Sequence, residues 1–323
     1  MNSPAVLLTN FYNGESLRII EELVPDGLKL IVLEKPDREE VIKKVGQADY
    51  MIAGGTVKID REILENAPRL KMIQRSGVGL DVIDQEELKK REIPLYRNEG
   101  INARSVAEHT LLLMLSVLRQ VVKADQTTRS GMWLKRQFGI QNMDLYGKTV
   151  GLLGLGKIGE HVARLLGPFG VTVLYHKRNR LSPSDEKKLQ VAFAEFSTLI
   201  NSSDIISIHC SYNKKTHHLI GQKEFENMKP GAILINTARG KIVNEIYLYE
   251  YLKNGKMAGA GLDVFEVEPA RENPLFGLDN VVVSPHIAGV TKNTFSRIYS
   301  EAFNNIVSFH RGDLKLLEEK RVV

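Results

Sequence analysis

Lys148-Thr149-Val150-Gly151-Leu152-Leu153-Gly154-Leu155-Gly156-Lys157-Ile158-Gly159 is the stretch on which the reading of the whole chain turns. An apolar run, TVGLLG, meets a Gly-x-Gly-x-x-Gly turn that opens the amphipathic segment EHVARLLGPFG. Three glycines so spaced between strand and helix build a cradle for a dinucleotide. Gly154 permits the tight turn, Gly156 lets the backbone approach a pyrophosphate, and Gly159 lets helix pack closely on strand. The free amides of Gly156, Lys157 and Ile158 at the helix start then face the phosphates. A bare strand-to-helix turn can carry the same glycines, so the weight lies in the flanking strand and helix rather than in the motif.

Outward from this loop, short apolar runs alternate with amphipathic segments in both directions. On the N-terminal side the strand-like runs are residues 5–9, 28–33, 50–53, 70–75 and 93–96, with helical patterns such as DREEVIKKV and DREILENA between them. On the C-terminal side they are residues 171–175, 204–210, 232–238, 258–265 and 280–286. Strand, helix and strand at this spacing mean parallel strands joined by crossovers. The expected fold is α/β, with two doubly wound parallel-sheet domains: a Rossmann dinucleotide-binding domain, residues 103–291, inserted into a flavodoxin-like substrate domain, residues 1–102 and 292–323. A long helix, SVAEHTLLLMLSVLRQVVKADQ, is expected between them, with Ser105 as N-cap and Glu108 closing a capping box. The stretch TKNTFSRIYSEAFNNIVSFHRGD is expected to return as a helix to the first domain.

Composition narrows the class. At 323 residues, 43% hydrophobic and 26% charged, the chain reads as an ordinary soluble one. No apolar run is long enough to span a membrane, and MNSPAVLLTN reads as a first strand rather than a leader. One cysteine, Cys210, excludes an intrachain disulfide and a cysteine zinc site, and no His/Asp/Glu cluster has metal-ligand spacing, so no metal is expected. The net charge of +5 is dispersed among acidic residues, as in EELKKREI, with no nucleic-acid-binding module. A cytoplasmic protein binding small anions, with neither nucleic acid nor membrane as partner, fits best.

The next strand end bears on which dinucleotide. NAD sites usually place an acid there to bind the ribose hydroxyls. This chain has Tyr175-His176-Lys177-Arg178-Asn179-Arg180 instead. Lys177, Arg178 or Arg180 could pair with the extra phosphate of NADP, which a carboxylate would repel. A solvated basic loop would read alike; the missing acid favours NADPH, with NAD as the alternative.

The motifs together resemble the D-isomer-specific 2-hydroxyacid dehydrogenase family. They are Ser76-Gly77-Val78-Gly79, Ser105-Val106-Ala107-Glu108-His109, GLGKIG, INTARG (235–240), GLDVFEVEP (261–269) and SPHIAG (284–289). The glyoxylate/hydroxypyruvate reductase branch looks closest, chiefly for the basic segment after Tyr175. The resemblance implies a catalytic set of Arg239, Glu268 and His286. The residue types suit the chemistry. Histidine can donate a proton near neutral pH, a carboxylate can fix its tautomer, and arginine can grip a substrate carboxylate in a planar fork. Each also has a plainer explanation as a structural or loop residue; their joint occurrence at strand ends decides for function.

The resemblance further implies that the Val78 and Gly79 amides hold the substrate carboxylate and that Gly55 lines an interdomain cleft. Phosphoglycerate-specific members usually carry arginine where this chain has Gly54. Val78 argues against phosphite oxidation and Glu268 against formate oxidation. Asp263, Thr237 and Ala238 are expected beside the nicotinamide, His209-Cys210-Ser211 beside the adenine, and Gly289 near the cofactor. Trp133 either reaches a partner's pocket or anchors a homodimer interface, while His217 and His218 are expected to be solvated. The expected reaction is hydride transfer between the cofactor and a small 2-keto or D-2-hydroxy acid. The rival of another class is a dinucleotide-sensing binding protein of the same fold, which keeps the same Arg, Glu and His.

Overall fold

Strands buried on both faces can be apolar throughout, as residues 5–8 and 50–53 of the first sheet are. In the computed structural model, which describes residues 3–323, the chain divides into two units, Met1–Ile101 with Lys292–Val323 and Asn102–Thr291. In the first unit, β1 (Ala5–Leu8), β3 (Tyr50–Ala53) and β4 (Met72–Arg75) are buried at every position. They alternate with α1 (Gly14–Glu22), β2 (Lys29–Ile31), α2 (Arg38–Val45), α3 (Arg61–Glu65), α4 (Gln85–Lys90) and β5 (Leu95–Arg97). The five strands are parallel in the order β2-β1-β3-β4-β5, the flavodoxin-like arrangement, with its reversal between β1 and β3.

The second unit runs through α5 (Ala103–Leu118), α6 (Val121–Arg129), α7 (Lys135–Gln141), β6 (Thr149–Leu153), α8 (Lys157–Leu166), β7 (Thr172–His176), α9 (Pro183–Leu189), β8 (Val191–Phe193), α10 (Phe196–Ser202) and β9 (Ile205–Ile208). It continues with α11 (Gln222–Asn227), β10 (Ala232–Asn236), α12 (Glu245–Lys253), β11 (Met257–Leu262) and β12 (Val281–Val283). Its seven parallel strands lie in the order β12-β11-β10-β9-β6-β7-β8, which is Rossmann topology with the reversal between β6 and β9. The last helix, α13 (Lys292–Arg311), belongs to the first unit. Its buried Tyr299, Ala302, Phe303 and Ile306 repeat at helical spacing and join Val6, Leu8, Tyr50 and Tyr96 in one core.

Several local expectations are corrected. The long helix is two: α5 ends at Leu118, Gln120 takes a left-handed φ of 47°, and α6 leaves at 61°. The apolar run that packs α5 stops at Leu118, and α6 buries no residue, so nothing holds the second half on the same axis. Ser105 is not an N-cap, since α5 begins at Ala103 after Asn102, and Glu108 pairs with Arg104 one turn back. β8 has no counterpart among the expected strands. No single helix among the described residues is long and apolar enough to cross a membrane.

Candidate active site

The glycine loop has the form its spacing predicts. At Gly154, φ is +103° and an added Cβ would lie 2.5 Å from the Cys210 amide nitrogen. At Gly159 an added Cβ would lie 2.6 Å from the Gly154 carbonyl. At Gly156, the N-cap of α8, it would meet nothing within 4 Å. Two glycines are therefore fixed by packing, and the middle one leaves the helix N-terminus, at Lys157 and Ile158, open to an anion.

Gly154 abuts the backbone of His209 and Cys210, so this strand end forms a wall of the same crevice. Burial pushes the His209 imidazole down to about 4 and the Cys210 thiol up to about 11. Both are neutral at pH 7, and His209 Nε2 lies 2.9 Å from Ser207 Oγ. Ser211 is exposed beyond them.

The basic segment after β7 is unevenly committed. Lys177 donates Nζ to the Leu155 carbonyl at 3.0 Å, inside the glycine loop. Arg180 forks onto Glu186 at 2.8 and 2.9 Å and lies over Phe193. The Arg180 hydrogen bonds, helped by the Tyr175 hydroxyl, draw the Glu186 carboxyl down to about 2. His176 Nδ1 is 3.0 Å from the Ala194 carbonyl. Arg178 is exposed.

At the opposite side of the same sheet, the ends of β10, β11 and β12 carry the remaining candidates. His286 has a φ of +55°, unusual for a residue with a Cβ, and its Nδ1 is 2.6 Å from Glu268 Oε2. Burial acts to raise the Glu268 carboxyl. The hydrogen bond and charge of His286, the Phe265 amide and the Arg239 charge outweigh it and hold the group below the usual carboxylate range. Arg239 follows β10 and donates Nη1 to the Ala238 carbonyl. Asp263 is 1% exposed and accepts from Ser284 Oγ and from the amides of Ile287 and Ala288. It anchors the turn that carries His286 and leads to Gly289, where an added Cβ would lie 2.5 Å from Asn102 Nδ2.

In the first unit, Gly55 and the Val78–Gly79 turn follow β3 and β4. Arg75, 5% exposed, donates Nε to the Gly79 carbonyl and Nη1 to the Ala53 carbonyl, each at 2.7 Å, and so ties the two turns together. A Cβ on Gly54 would lie 1.9 Å from Asn10 Oδ1, so Asn10 occupies the space of any side chain there.

Residue types alone left other features unseen. A Cβ on Gly240 would lie 1.9 Å from the Phe265 carbonyl carbon, so glycine lets the Arg239 loop touch the Glu268 loop. Glu245 and Glu266 exchange backbone-to-carboxylate hydrogen bonds at 2.9 and 2.7 Å, pinning that loop to α12. His218, expected in solvent, is partly buried with φ +49°, stacked on exposed His217 and 3.1 Å from Glu266. The nearby acid and the turn it makes draw it inward. No cluster of His, Cys, Asp and Glu among the described residues could hold a metal.

Comparison with known proteins agrees with this architecture. The family model of the D-isomer specific 2-hydroxyacid dehydrogenase, NAD binding domain, matches residues 111–288. A glyoxylate reductase of Thermococcus litoralis is 40% identical over 96% of this chain and 95% of its own. A D-lactate dehydrogenase of Aquifex aeolicus, solved with NAD and lactic acid, has a TM-score of 0.88 at 29% identity over 99% of both chains. An acyclic imino acid reductase solved with NADPH and D-Arg has a TM-score of 0.83 at 29% identity, covering 99% of this chain and 100% of its own.

Fold and relatives together define a nicotinamide-dependent oxidoreductase. The chain belongs to the D-isomer specific 2-hydroxyacid dehydrogenase family, in its glyoxylate reductase branch.

Proposed function

We propose that this protein is an NADPH-preferring reductase of small 2-keto acids, glyoxylate or hydroxypyruvate above all, yielding the D-2-hydroxy acid. The observation that carries the chemistry is the 2.6 Å contact between His286 and Glu268, with the Arg239 charge felt by the same carboxylate. Gly156, Lys157 and Ile158 would hold the pyrophosphate of the dinucleotide at the strand ends, and its nicotinamide would supply or accept the hydride. Arg239 grips the substrate carboxylate and polarises the carbonyl. His286, with Nδ1 held by Glu268, gives the proton to the carbonyl oxygen through Nε2 and recovers one from solvent. Val78, Gly79 and Gly55 remain the candidates of the first unit for carboxylate contact, and Thr237, Ala238 and Asp263 those for the nicotinamide. For NADPH over NADH the support is the absence of an acid after β7 and the exposed Arg178. We also propose a homodimer. Its support is the segment from α6 to β6, which exposes Val121, Val122, Met132, Trp133, Ile140 and Tyr146, with Trp133 at 81% and Ile140 at 87%.

The deciding experiment follows nicotinamide absorbance with a panel of 2-keto acids and both cofactors, for the wild type and His286→Ala. The variant is expected to lose about 100-fold or more in turnover while still binding NADPH. Unchanged turnover removes His286 from the chemistry, and faster oxidation of NADH removes the basic-loop reading alone.

A further inference from the structure

Two adjacent residues of α5 each bond a residue two positions ahead of a proposed site side chain. Thr110 Oγ1 lies 3.0 Å from Thr237 Oγ1, and Arg239 follows Thr237 by two. His109 Nε2 lies 2.8 Å from Ser284 Oγ, and His286 follows Ser284 by two. Thr110 and Thr237 are buried, and the His109 side chain is 16% exposed.

Proton counting fixes the direction of both bonds. Thr110 spends its hydroxyl proton on the Val106 carbonyl at 2.8 Å, so Thr237 is the donor to Thr110. Ser284 spends its proton on Asp263 Oδ1 at 2.6 Å, so His109 donates from Nε2 to Ser284. Asp263 then holds the turn on both sides of His286: its carbonyl accepts the His286 amide at 2.8 Å, and its carboxylate accepts the next two amides.

The sheet cannot relate the two loops directly, because β11 lies between β10 and β12. α5 bridges them, and β11 is shaped to let it. Gly259 and Gly261 share one face of that strand. An added Cβ on the first would lie 2.6 Å from Val117 Cγ1, and on the second 2.9 Å from Leu113 Cβ. The two glycines seat α5 close enough to the sheet for both hydrogen bonds.

We infer that His109 and Thr110 are positioning residues that hold the Arg239 and His286 loops in register with each other. This rests on the site proposed above. A displacement of about 1 Å at reacting groups can cost about 100-fold, and partial loosening correspondingly less.

The test compares His109→Leu and Thr110→Val, which remove the hydrogen bonds, with His109→Gln and Thr110→Ser, which keep a donor or hydroxyl. His286→Ala is run beside them with the best keto acid. His109→Leu is expected to lower kcat roughly tenfold and Thr110→Val to raise the keto-acid KM as well. NADPH Kd by calorimetry should move less than the kinetic constants, since the glycine loop at 154–159 is untouched, and the conservative variants should recover most of the loss. If Thr110→Val does not fold, His109→Leu, at a less enclosed position, decides alone. Kinetics within twofold of wild type, or conservative variants as impaired as the apolar ones, overturn the inference. If His286→Ala keeps full turnover, the site reading itself fails; if it is inactive while His109→Leu is normal, only the register role fails.

Discussion

Replacement of Arg178 by alanine tests which basic residue would meet the extra phosphate of NADP. Three cations lie within four residues, but two have other work. Lys177 is bound to the Leu155 carbonyl, and Arg180 is held by a carboxylate it keeps ionised down to about pH 2. Drawing either to a phosphate means breaking an existing bond. Arg178 is exposed and gives up only solvent. A charge-assisted hydrogen bond contributes about 1.5–3 kcal/mol, and solvent screening at an exposed position leaves it near the lower end. About 1.4 kcal/mol is a factor of about ten. Arg178→Ala is therefore expected to lower kcat/KM for NADPH about tenfold and for NADH less than twofold, while Arg180→Ala changes both little. Initial rates with each cofactor at low and high ionic strength supply the readout, and the NADPH advantage should shrink with salt. A larger NADPH-specific loss in Arg180→Ala than in Arg178→Ala would refute the reasoning.

Other consequences follow from contacts of the second unit. Gly240→Ala places a methyl group 1.9 Å from the Phe265 carbonyl carbon, so the two loops must part by more than an ångström. Turnover should fall about 100-fold with nucleotide binding retained, and near-normal steady-state rates would count against the contact. His209 has its folded value near 4 against 6.5 unfolded, so the unfolded chain binds the extra proton between those values. Stability from this group is complete above pH 6.5 and is lost as pH falls toward 4, by about 3 kcal/mol at most. Urea titrations at stepped pH should show a slope that His209→Asn flattens, and an identical slope in the variant would exclude His209 as its source. For the dimer, Trp133→Ser with Ile140→Ser should move sedimentation toward the monomer, whereas a monomeric wild type ends the proposal.

Much of this architecture could be read from residues alone because parallel strands covered on both faces appear as unbroken apolar runs. YMIA and AILI (232–235) are such runs, and the glycine spacing in GLGKIG is a local property of one turn. β8 follows α9 with only Gln190 between them, so no turn signal sets it apart from the helix. The break at Gln120 was invisible because helical periodicity continues through it, and only the end of packing at Leu118 shows where the axis changes. At the site, histidine, glutamate and arginine announce themselves by residue type. The partnership of His109 with Ser284 joins positions 175 residues apart, and no local pattern reports it. Gly240 likewise reads as any turn glycine, and only the Phe265 backbone packed against it shows the close approach.

The meeting of Gly54 with Asn10 constrains how this chain could change. An arginine at 54, usual in the phosphoglycerate-specific branch, would collide with the Asn10 side chain before it reached any ligand. To make room, Asn10 would have to swing its amide aside, giving up a 3.3 Å hydrogen bond to the Tyr12 hydroxyl and a 3.4 Å one from the Thr56 amide. Residues in contact couple, so the effect of a change at 54 depends on the residue at 10. What position 54 can carry is thus set in part from the exit loop of β1, by a neighbour that the sequence places far from it.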